Sequence, residues 1–406
     1  MVCKPQLGKK MKWPAKRISQ GSPKSFGMYE EAAKLMARGQ DVIHLEVGRP
    51  NFDTPQHIKD AANKSLDDGN VHYGEFPGDL ELREAICNKL RSYNKLTPAP
   101  DEVLVTNGLT HAAYAVFMAA VDEGDEVILL EPYYPQHVNK IELAGGKVVK
   151  APLDKSNGFT IDGDAIEACI TDKTLMIAMV NPANPTGRVY SRAELQVVAD
   201  IAIKHDLLVL SDEVYDQIVY DDNQHTSIGS LPGMWERTFN CCAYTKAYAM
   251  DGWRLGYVAC HERFMPALMM ITVNDVAHVN VFIQAGALAA LTGPQDCRME
   301  MLAEDDRRRR LVSRRLSAID GIECPLPQGT IYSFPDVSAF GKPSQQIAEE
   351  ILARTSVVTE AGSFYGAAGE GHLRICFGAE SYERIDEAMN RLQDYFGSEK
   401  TRRIAS

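Results

Sequence analysis

The chain has 406 residues, of which 45 % are hydrophobic and 24 % are charged, and these values are typical of an ordinary globular protein. Its formal net charge of −12 argues against a nucleic-acid partner, because phosphate backbones select proteins with clustered lysine and arginine. No apolar run approaches the ~18 residues of a membrane span, and the basic N-terminal stretch lacks a signal peptide's apolar segment, which favours a cytoplasmic location without a membrane partner.

The cysteines and histidines show no pattern of a metal site. The nine cysteines are scattered without a C-x-x-C pair, and the ten histidines include no H-E-x-x-H motif or zinc-ligand spacing. Free thiols in a reducing compartment are the simplest interpretation of this distribution. We therefore predict no bound metal.

From about residue 100, short apolar runs alternate with amphipathic segments, a pattern that predicts parallel strands joined by helices. The runs are continuous rather than alternating, which is typical of a sheet covered on both faces. Ser191 and Glu194 form a capping box that begins one of the helices. The predicted strands are residues 102–106, 126–131, 147–153, 175–180, 207–213, 238–244 and 256–260.

Past about residue 290 the pattern changes to a smaller α+β unit. It begins with a long helical stretch (296–318) and includes a later helix that begins at Ser344. In the long stretch, the acidic residues 304–306 precede four arginines at 307–310, an order that suits i,i+4 ion pairs. We interpret this run as a solvated helix face rather than a nuclear-localisation signal.

Chemically active residue types stand just after the predicted strands, where ligands of parallel sheets bind. Gly108, Leu109 and Thr110 begin a helix, and the free N–H groups of a helix N-terminus favour an anion. Taken singly, each residue also fits a structural role such as a helix cap, a turn or core packing. The other residues of this kind are Tyr134, Asn184, Asp212, Tyr215, Lys246 and Arg254.

Three segments in chain order resemble the class I/II aminotransferases of the fold-type I pyridoxal phosphate enzymes. They are "NPANPTG" (181–187), "SDEVYD" (211–216) and "AYTKAYAMDGWRLGYV" (243–258). The resemblance extends to "HLEVGRPNFDTP" (44–55), "HYGEFPGDLELREAI" (72–86) and "HLRICFG" (372–378), and it covers about residues 25–395.

The resemblance implies an α/β fold with a mostly parallel central sheet, helices on both faces, and a second, smaller α+β domain. We expect the large pyridoxal phosphate-binding domain to span residues 61–293. The small domain is then expected to combine residues 1–60, which include an N-terminal arm, with residues 294–406.

The resemblance also implies roles for the site residues. Lys246 matches the lysine that forms a Schiff base with pyridoxal 5'-phosphate and later moves a proton, which requires an amine. Asp212 matches the carboxylate that keeps the pyridine nitrogen protonated, while Tyr215 and Asn184 match the pair that hydrogen-bonds the ring hydroxyl. The remaining cofactor contacts match Gly108, Leu109, Thr110 and Arg254 at the phosphate, Tyr134 on the ring face, and Tyr73 from a partner subunit.

For the substrate, Arg374 matches the arginine that binds the α-carboxylate with two hydrogen bonds, beside Gly48 and Asn184. The match of Tyr73 implies a homodimer with shared active sites. The implied reaction exchanges an amino group between an α-amino acid and a 2-oxo acid.

Three positions depart from the family pattern. Arg49 stands where relatives often carry Glu or Gln, next to the Gly48 contact, and we expect it to lie near the substrate side chain. Ala243 stands where many relatives carry a serine that contacts the phosphate, and we expect Thr245 to compensate for the missing hydroxyl. Leu109 stands where one aspartate-specific subgroup carries a lysine that holds a side-chain carboxylate, and this departure weakens the prediction of a dicarboxylate substrate.

The same core residues serve other pyridoxal phosphate reactions, so alternatives to transamination stay open. These are a C–S β-lyase, an aminocyclopropane carboxylate synthase-like enzyme and an amino acid oxidase-type enzyme. A cofactor-sensing regulator would need an N-terminal DNA-binding segment, and the ~25 residues before the first family motif leave no room for one. The amino donor, the acceptor and the pathway are not determined by these motifs.

Overall fold

The computed structural model describes residues 13–19 and 27–405 of the chain. Residues 1–12 and 20–26, which belong to the predicted N-terminal arm, lie outside the described residues. The helices are α1 (Lys16–Ser19), α2 (Tyr29–Met36), α3 (Gln56–Asp67), α4 (Leu80–Lys89), α5 (Leu109–Ala120), α6 (Pro135–Ala144), α7 (Gly163–Glu167), α8 (Arg192–Lys204), α9 (Met265–Asp275), α10 (Val281–Thr292), α11 (Asp296–Ser317), α12 (Ser344–Thr355) and α13 (Tyr382–Ala405). The strands are β1 (Ile43–His44), β2 (Val103–Thr106), β3 (Glu126–Glu131), β4 (Lys147–Pro152), β5 (Thr174–Val180), β6 (Leu208–Asp212), β7 (Thr238–Ala243), β8 (Gly256–Ala259), β9 (Tyr332–Ser333), β10 (Val357–Val358), β11 (Glu360–Ala361) and β12 (Leu373–Cys376).

Seven strands form the central sheet, in the order β2-β8-β7-β6-β5-β3-β4. The neighbours from β7 to β4 are parallel, and β8 alone runs antiparallel to both of its neighbours. The sheet is therefore mostly parallel, as predicted. All seven predicted strands are present, with bounds that differ from the prediction by at most one residue at each end.

Helices cover both faces of this sheet. Alternate residues of the inner strands, such as Leu129 and Leu210, pack against α5 on one face. Their neighbours Ile128 and Val209 pack against α8 on the other face. Because a strand directs successive side chains to opposite faces, a strand buried on both faces must be apolar throughout. This double burial explains the continuous apolar runs.

The carboxyl ends of the central strands lie side by side. Val180 at the end of β5 is paired with Asp212 at the end of β6, and Asp212 is paired with Cys241 of β7. The segments that follow β5, β6 and β7 therefore begin at one edge of the sheet, and these segments contain Asn184, Tyr215 and Lys246.

A second core combines the two ends of the described chain. Apolar residues of α2 and β1 pack with those of α11, α12, α13 and the short strands β9–β12. β1 pairs in parallel with β10, while β11, β12 and β9 form an antiparallel sheet. This arrangement accords with the expected small α+β domain, and its exact boundaries stay a prediction.

The arginine run on α11 is not the solvated face that we expected. Arg308 and Arg309 are buried, and only Arg307 and Arg310 are exposed. The acid-before-base pairs do form, with Arg308 Nε 3.0 Å from Glu304 Oε1. The prediction was wrong for the two central arginines because α11 packs against the rest of the second core, where Arg309 lies over the ring of Tyr220.

Two further predictions concern helices. The Ser191 capping box is confirmed, because the Glu194 N–H donates to Ser191 Oγ at 3.2 Å and the Ser191 N–H donates to Glu194 Oε2 at 2.9 Å. Among the described residues, no helix combines the length and apolar character that crossing a membrane would require.

Candidate active site

Lys246 lies in the turn after β7, where its amine is half-buried. Its Nζ donates a hydrogen bond to the carbonyl oxygen of Gly48. Withdrawal from water lowers the pKa of Lys246 to about 8, and the guanidinium groups of Arg374 and Arg254 act in the same direction. The site therefore holds an amine whose unprotonated form, although a minor fraction at pH 7, is far more populated than in an ordinary lysine.

Arg374 on β12 lies in a cage of polar and aromatic groups. Its Nη1 donates to Asn184 Oδ1 at 3.2 Å, and its Nη2 donates to the backbone oxygen of Glu46. The guanidinium carbon lies 4.4 Å from the ring centroid of Tyr332 and 5.0 Å from that of Tyr365. Its Nε is buried and has no hydrogen-bond partner among the described residues. A buried donor without a partner is costly, so the position suits an added acceptor.

Two phenols connect this cage to the segment that follows β6. The hydroxyl groups of Tyr215 and Tyr332 share a hydrogen bond of 2.7 Å, and both side chains are buried. Burial raises the pKa of Tyr332 to about 12, so it stays protonated at neutral pH. The backbone of Gly48 presses against the Tyr332 hydroxyl, and any side chain on Gly48 would overlap it.

Asp212 is a buried carboxylate at the end of β6. His137 on α6 donates from Nε2 to Asp212 Oδ2 at 3.1 Å. Burial lowers the pKa of His137, although the hydrogen bond to Asp212 opposes that effect. A buried carboxylate is costly unless a donor or cation contacts it, and His137 provides that donor for Asp212.

The ring of Tyr134 lies beside His137. It contacts the His137 ring edge-on, with centroids 5.3 Å apart. Burial raises the pKa of its phenol, and the charge of Asp212 adds to this effect while Arg374 and Arg254 oppose it. The carboxylate and both guanidinium groups thus lie within electrostatic range of one aromatic ring.

The start of α5 forms the opposite end of the site. Gly108 precedes the helix with φ of +77°, and a Cβ there would lie 2.5 Å from Arg254 Nη2. Leu109 is buried, whereas Thr110 is exposed. The first N–H groups of a helix lack partners within the helix, so this end combines free donors with a cation.

The missing hydroxyl at Ala243 has a neighbour that could replace it. Ala243 ends β7, and Thr245 follows it as a buried residue. Ala243 pairs with Gly256 of β8, and a Cβ on Gly256 would lie 2.8 Å from the backbone nitrogen of Leu109, so Ala243 lies near the start of α5. That Thr245 supplies the hydroxyl stays a prediction.

One predicted site residue lies apart from the rest. The side chain of Tyr73 is 89 % exposed, and its ring contacts His278 at a centroid distance of 5.6 Å. Within a single chain it makes no contact with the groups around Lys246.

The motifs missed several residues that the structure adds to the site. Tyr332, Tyr365 and Glu46 surround Arg374, while His137 contacts Asp212 and Lys140 lies near the ring of Tyr134. A histidine in the first turn of the helix that follows Tyr134 was a usable signal, because that turn begins next to the aromatic residue. Nothing local distinguishes Tyr332 from a core tyrosine.

Comparisons with known proteins agree with this geometry. The family profile "Aminotransferase class I and II" matches residues 40–392. Aspartate aminotransferase from Pyrococcus abyssi is 39 % identical over 369 residues, which cover 90 % of this chain and 94 % of that protein. Aromatic-amino-acid aminotransferase 2 from Thermococcus litoralis is 36 % identical over the same length, with the same coverage.

The crystal structure of an aromatic aminotransferase from Pyrococcus horikoshii superposes with a TM-score of 0.87. It is 38 % identical in sequence, and the match covers 91 % of this chain and 99 % of that one. The predicted fold class and enzyme class are thereby confirmed. The chain belongs to the class I and II aminotransferase family.

Proposed function

We propose that this aminotransferase uses pyridoxal 5'-phosphate, linked covalently to Lys246, to exchange an amino group between an α-amino acid and a 2-oxo acid. The observation that carries this proposal is that Lys246 and Asn184 follow neighbouring strands at the sheet edge where the buried Asp212 carboxylate lies, with Arg374 hydrogen-bonded to Asn184. Withdrawal from water also lowers the pKa of the Lys246 amine to about 8. Only an unprotonated amine attacks a carbonyl carbon, so this lysine is activated for the link.

The residues around Lys246 fit the proposed cofactor. The start of α5 and the Arg254 guanidinium, which lies beside Gly108, offer donors and positive charge for a phosphate. At the other end, the Asp212 carboxylate offers an acceptor for a protonated ring nitrogen. Tyr134 offers an aromatic face, and Asn184 with Tyr215 offers donors to a ring hydroxyl. When bound, pyridoxal phosphate supplies an electron sink for the bonds at the substrate α-carbon.

Arg374 is proposed to bind the α-carboxylate of the substrate. Its unpartnered Nε and the remaining hydrogens of its guanidinium point to a carboxylate, which can accept two parallel hydrogen bonds. Tyr332, Tyr365 and the Glu46 carbonyl hold the guanidinium in place, so that little conformational entropy is lost on binding.

Lys246 is proposed to move the α-proton once the substrate amine has displaced it from the cofactor. A general base works best when its pKa lies near the operating pH, and a lysine of ordinary pKa would stay protonated. Desolvation together with the nearby guanidinium groups provides this adjustment.

A homodimer with shared sites is part of this proposal. Tyr73 is 89 % exposed, and other apolar side chains of the same segment are exposed too, with Val71 at 59 %, Phe76 at 49 % and Leu80 at 46 %. An exposed apolar group of this kind is typical of a protein–protein interface. We propose that a second copy covers it and receives Tyr73 at its phosphate site.

The substrate side chain is the least determined part of the proposal. The names of relatives include aspartate and aromatic amino acids, which share only the α-amino and α-carboxylate groups. Leu109 is buried in an apolar cluster and offers no cation to a second carboxylate. We therefore base the proposal on the shared groups, with a pyridoxal phosphate-dependent lyase as the alternative outcome.

Replacement of Lys246 tests the proposal. Lys246→Ala removes both the covalent link and the base, so we expect transamination to fall by at least about 10²–10⁴-fold, the range of acid–base contributions. Lys246→Arg is the matched control, because it keeps a cation that cannot form the link. Borohydride reduction followed by peptide mass spectrometry should find the cofactor on Lys246 in the wild type only. Retained transamination in either variant would refute the assignment.

A further inference from the structure

Lys140 on α6 is a buried amine that the proposed reaction does not use. The residue is 6 % exposed, although lysine is among the residues least often buried. Among the described residues, its Nζ donates a hydrogen bond only to the Gln136 carbonyl of its own helix, at 3.3 Å. No carboxylate lies within ion-pairing distance of it in that part of the chain. Such an unpaired buried cation is costly, so its place in the fold needs a reason.

Lys140 lies on the same helix as the histidine that contacts Asp212. Lys140 follows His137 by three residues, so both lie on one face of α6. His137 contacts Asp212 at 3.1 Å, and Lys140 Nζ lies 5.8 Å from the ring centroid of Tyr134. The amine thus lies near the aromatic ring of Tyr134, on the helix face of the histidine that contacts Asp212, and its charge interacts with that of Asp212.

The charge of this amine persists near neutral pH. Burial lowers the pKa of Lys140 to about 8, while the negative charge of Asp212 opposes the shift. His137 contributes no opposing charge, because burial lowers its pKa as well. At pH 7 the buried group is therefore mainly the ammonium ion.

We propose that Lys140 is a positioning residue whose charge weakens the hold of Asp212 on the ring nitrogen of the cofactor. This inference rests on the proposed function. A cation near the carboxylate attracts Asp212 and repels a protonated ring nitrogen, and both effects lower the basicity of that nitrogen. With a less basic nitrogen, the cofactor ring withdraws electrons less strongly from the substrate. Lys140 has this effect through Asp212 and does not contact the ring itself.

Paired affinities for two cofactors test this inference. The dissociation constants of pyridoxal phosphate and of its 1-deaza analogue, in which C–H replaces the ring nitrogen, are measured on the cofactor-free protein. Lys140→Met removes the charge at similar volume, and Lys140→Arg keeps the charge. We expect Lys140→Met to bind pyridoxal phosphate roughly tenfold more tightly while the analogue is unaffected. Lys140→Arg should behave as the wild type with both ligands.

A second measurement separates charge from packing. The ¹⁵N chemical shift of ring-labelled pyridoxal phosphate on the protein reports protonation of the ring nitrogen. It should move toward the protonated value in Lys140→Met and should not move in Lys140→Arg. Lys140→Gln serves as a second neutral variant if Lys140→Met does not fold.

Three outcomes overturn the inference. If Lys140→Met changed both dissociation constants equally, Lys140 would act through packing alone. If neither dissociation constant changed, Lys140 would have no influence on Asp212. Weaker binding of pyridoxal phosphate in the neutral variants would reverse the sign of the proposed effect. Failure of the proposed function is distinguishable, because the wild type would then bind neither ligand.

Discussion

The absence of a side chain at Gly108 leaves room for the guanidinium group of Arg254. A Cβ at this glycine would lie 2.5 Å from Arg254 Nη2, and its φ of +77° is one that other residues rarely adopt. Arg254 itself has φ of +54° and is held by a hydrogen bond of 2.8 Å from Nη1 to the Asp251 carbonyl. The backbone of Gly108 and the guanidinium of Arg254 therefore restrict each other's positions.

The substitution Gly108→Ala should displace this guanidinium. We expect the affinity for pyridoxal phosphate to fall by about tenfold or more, equivalent to ~1.4 kcal/mol, with little change in amino acid KM at saturating cofactor. Gly252→Ala is the matched control, because a Cβ there meets no atom within 4 Å. Titration of the cofactor-free variants measures the effect, and equal affinities in the two variants would contradict it.

The pairing of β11 with β12 shows how one element links the site to the N-terminal part of the chain. Glu360 stands directly opposite Arg374 in this pair. Its carboxyl group also accepts the Met28 N–H at 3.2 Å, just before α2 begins. Gly27 precedes this contact, and a side chain on it would overlap the Glu360 carboxyl group. One buried acid thus joins the start of α2 to the strand of Arg374.

The ionisation of Glu360 should make stability depend on pH. Burial raises its pKa to about 7, although the Arg374 charge opposes this shift. Between about pH 4.5 and 7 the unfolded chain therefore loses this proton while the folded protein keeps it, so the free energy of unfolding falls as pH rises and levels off above about 7. Glu360→Gln has no proton to lose and should be stabilised relative to the wild type as pH rises, by up to ~3 kcal/mol.

Urea unfolding of both proteins at pH 5.5 and 7.5 measures this difference. Asp305, whose pKa is also raised to about 7 by burial, titrates in both proteins and cancels in the comparison. A stability difference that is the same at both pH values would show that Glu360 ionises normally in the folded protein.

At the scale of the whole molecule, the proposed dimer predicts complementation between subunits. In a shared-site dimer, each site contains Lys246 of one subunit and Tyr73 of the other. A hybrid of Lys246→Ala and Tyr73→Ala chains then has one site with both changes and one site with neither. We expect about half of the wild-type activity, with wild-type cofactor affinity at that site.

Differently tagged chains allow the hybrid to be purified and assayed against both parent dimers. Tyr73→Ala dimers should show weakened cofactor affinity, and Lys246→Ala dimers should be inactive. If the hybrid shows only the weak affinity of the Tyr73→Ala parent, Tyr73 does not serve the partner's site. A monomer by light scattering would contradict the dimer itself.

Local patterns were enough to predict the strands and the residues at their ends. β3 occupies the predicted residues 126–131, because a strand buried on both faces of a sheet is apolar along its length. Asn184, Asp212 and Lys246 could then be placed together, since parallel strands bring their carboxyl ends to one edge. Periodicity and chain order carry this information without any knowledge of distant contacts.

The burial of individual side chains depends on contacts between segments that are distant in sequence, and only the tertiary structure shows these contacts. Arg309 has the same local pattern as a surface arginine, yet it is fully buried because α11 packs against the segment that holds Tyr220 and Asp221. The caging of Arg374 by Tyr332 and Tyr365 likewise joins parts of the chain that no local pattern relates. Burial, and with it the pKa of Lys246 and Lys140, follows from packing between such segments, because desolvation depends on every group that excludes water from the amine.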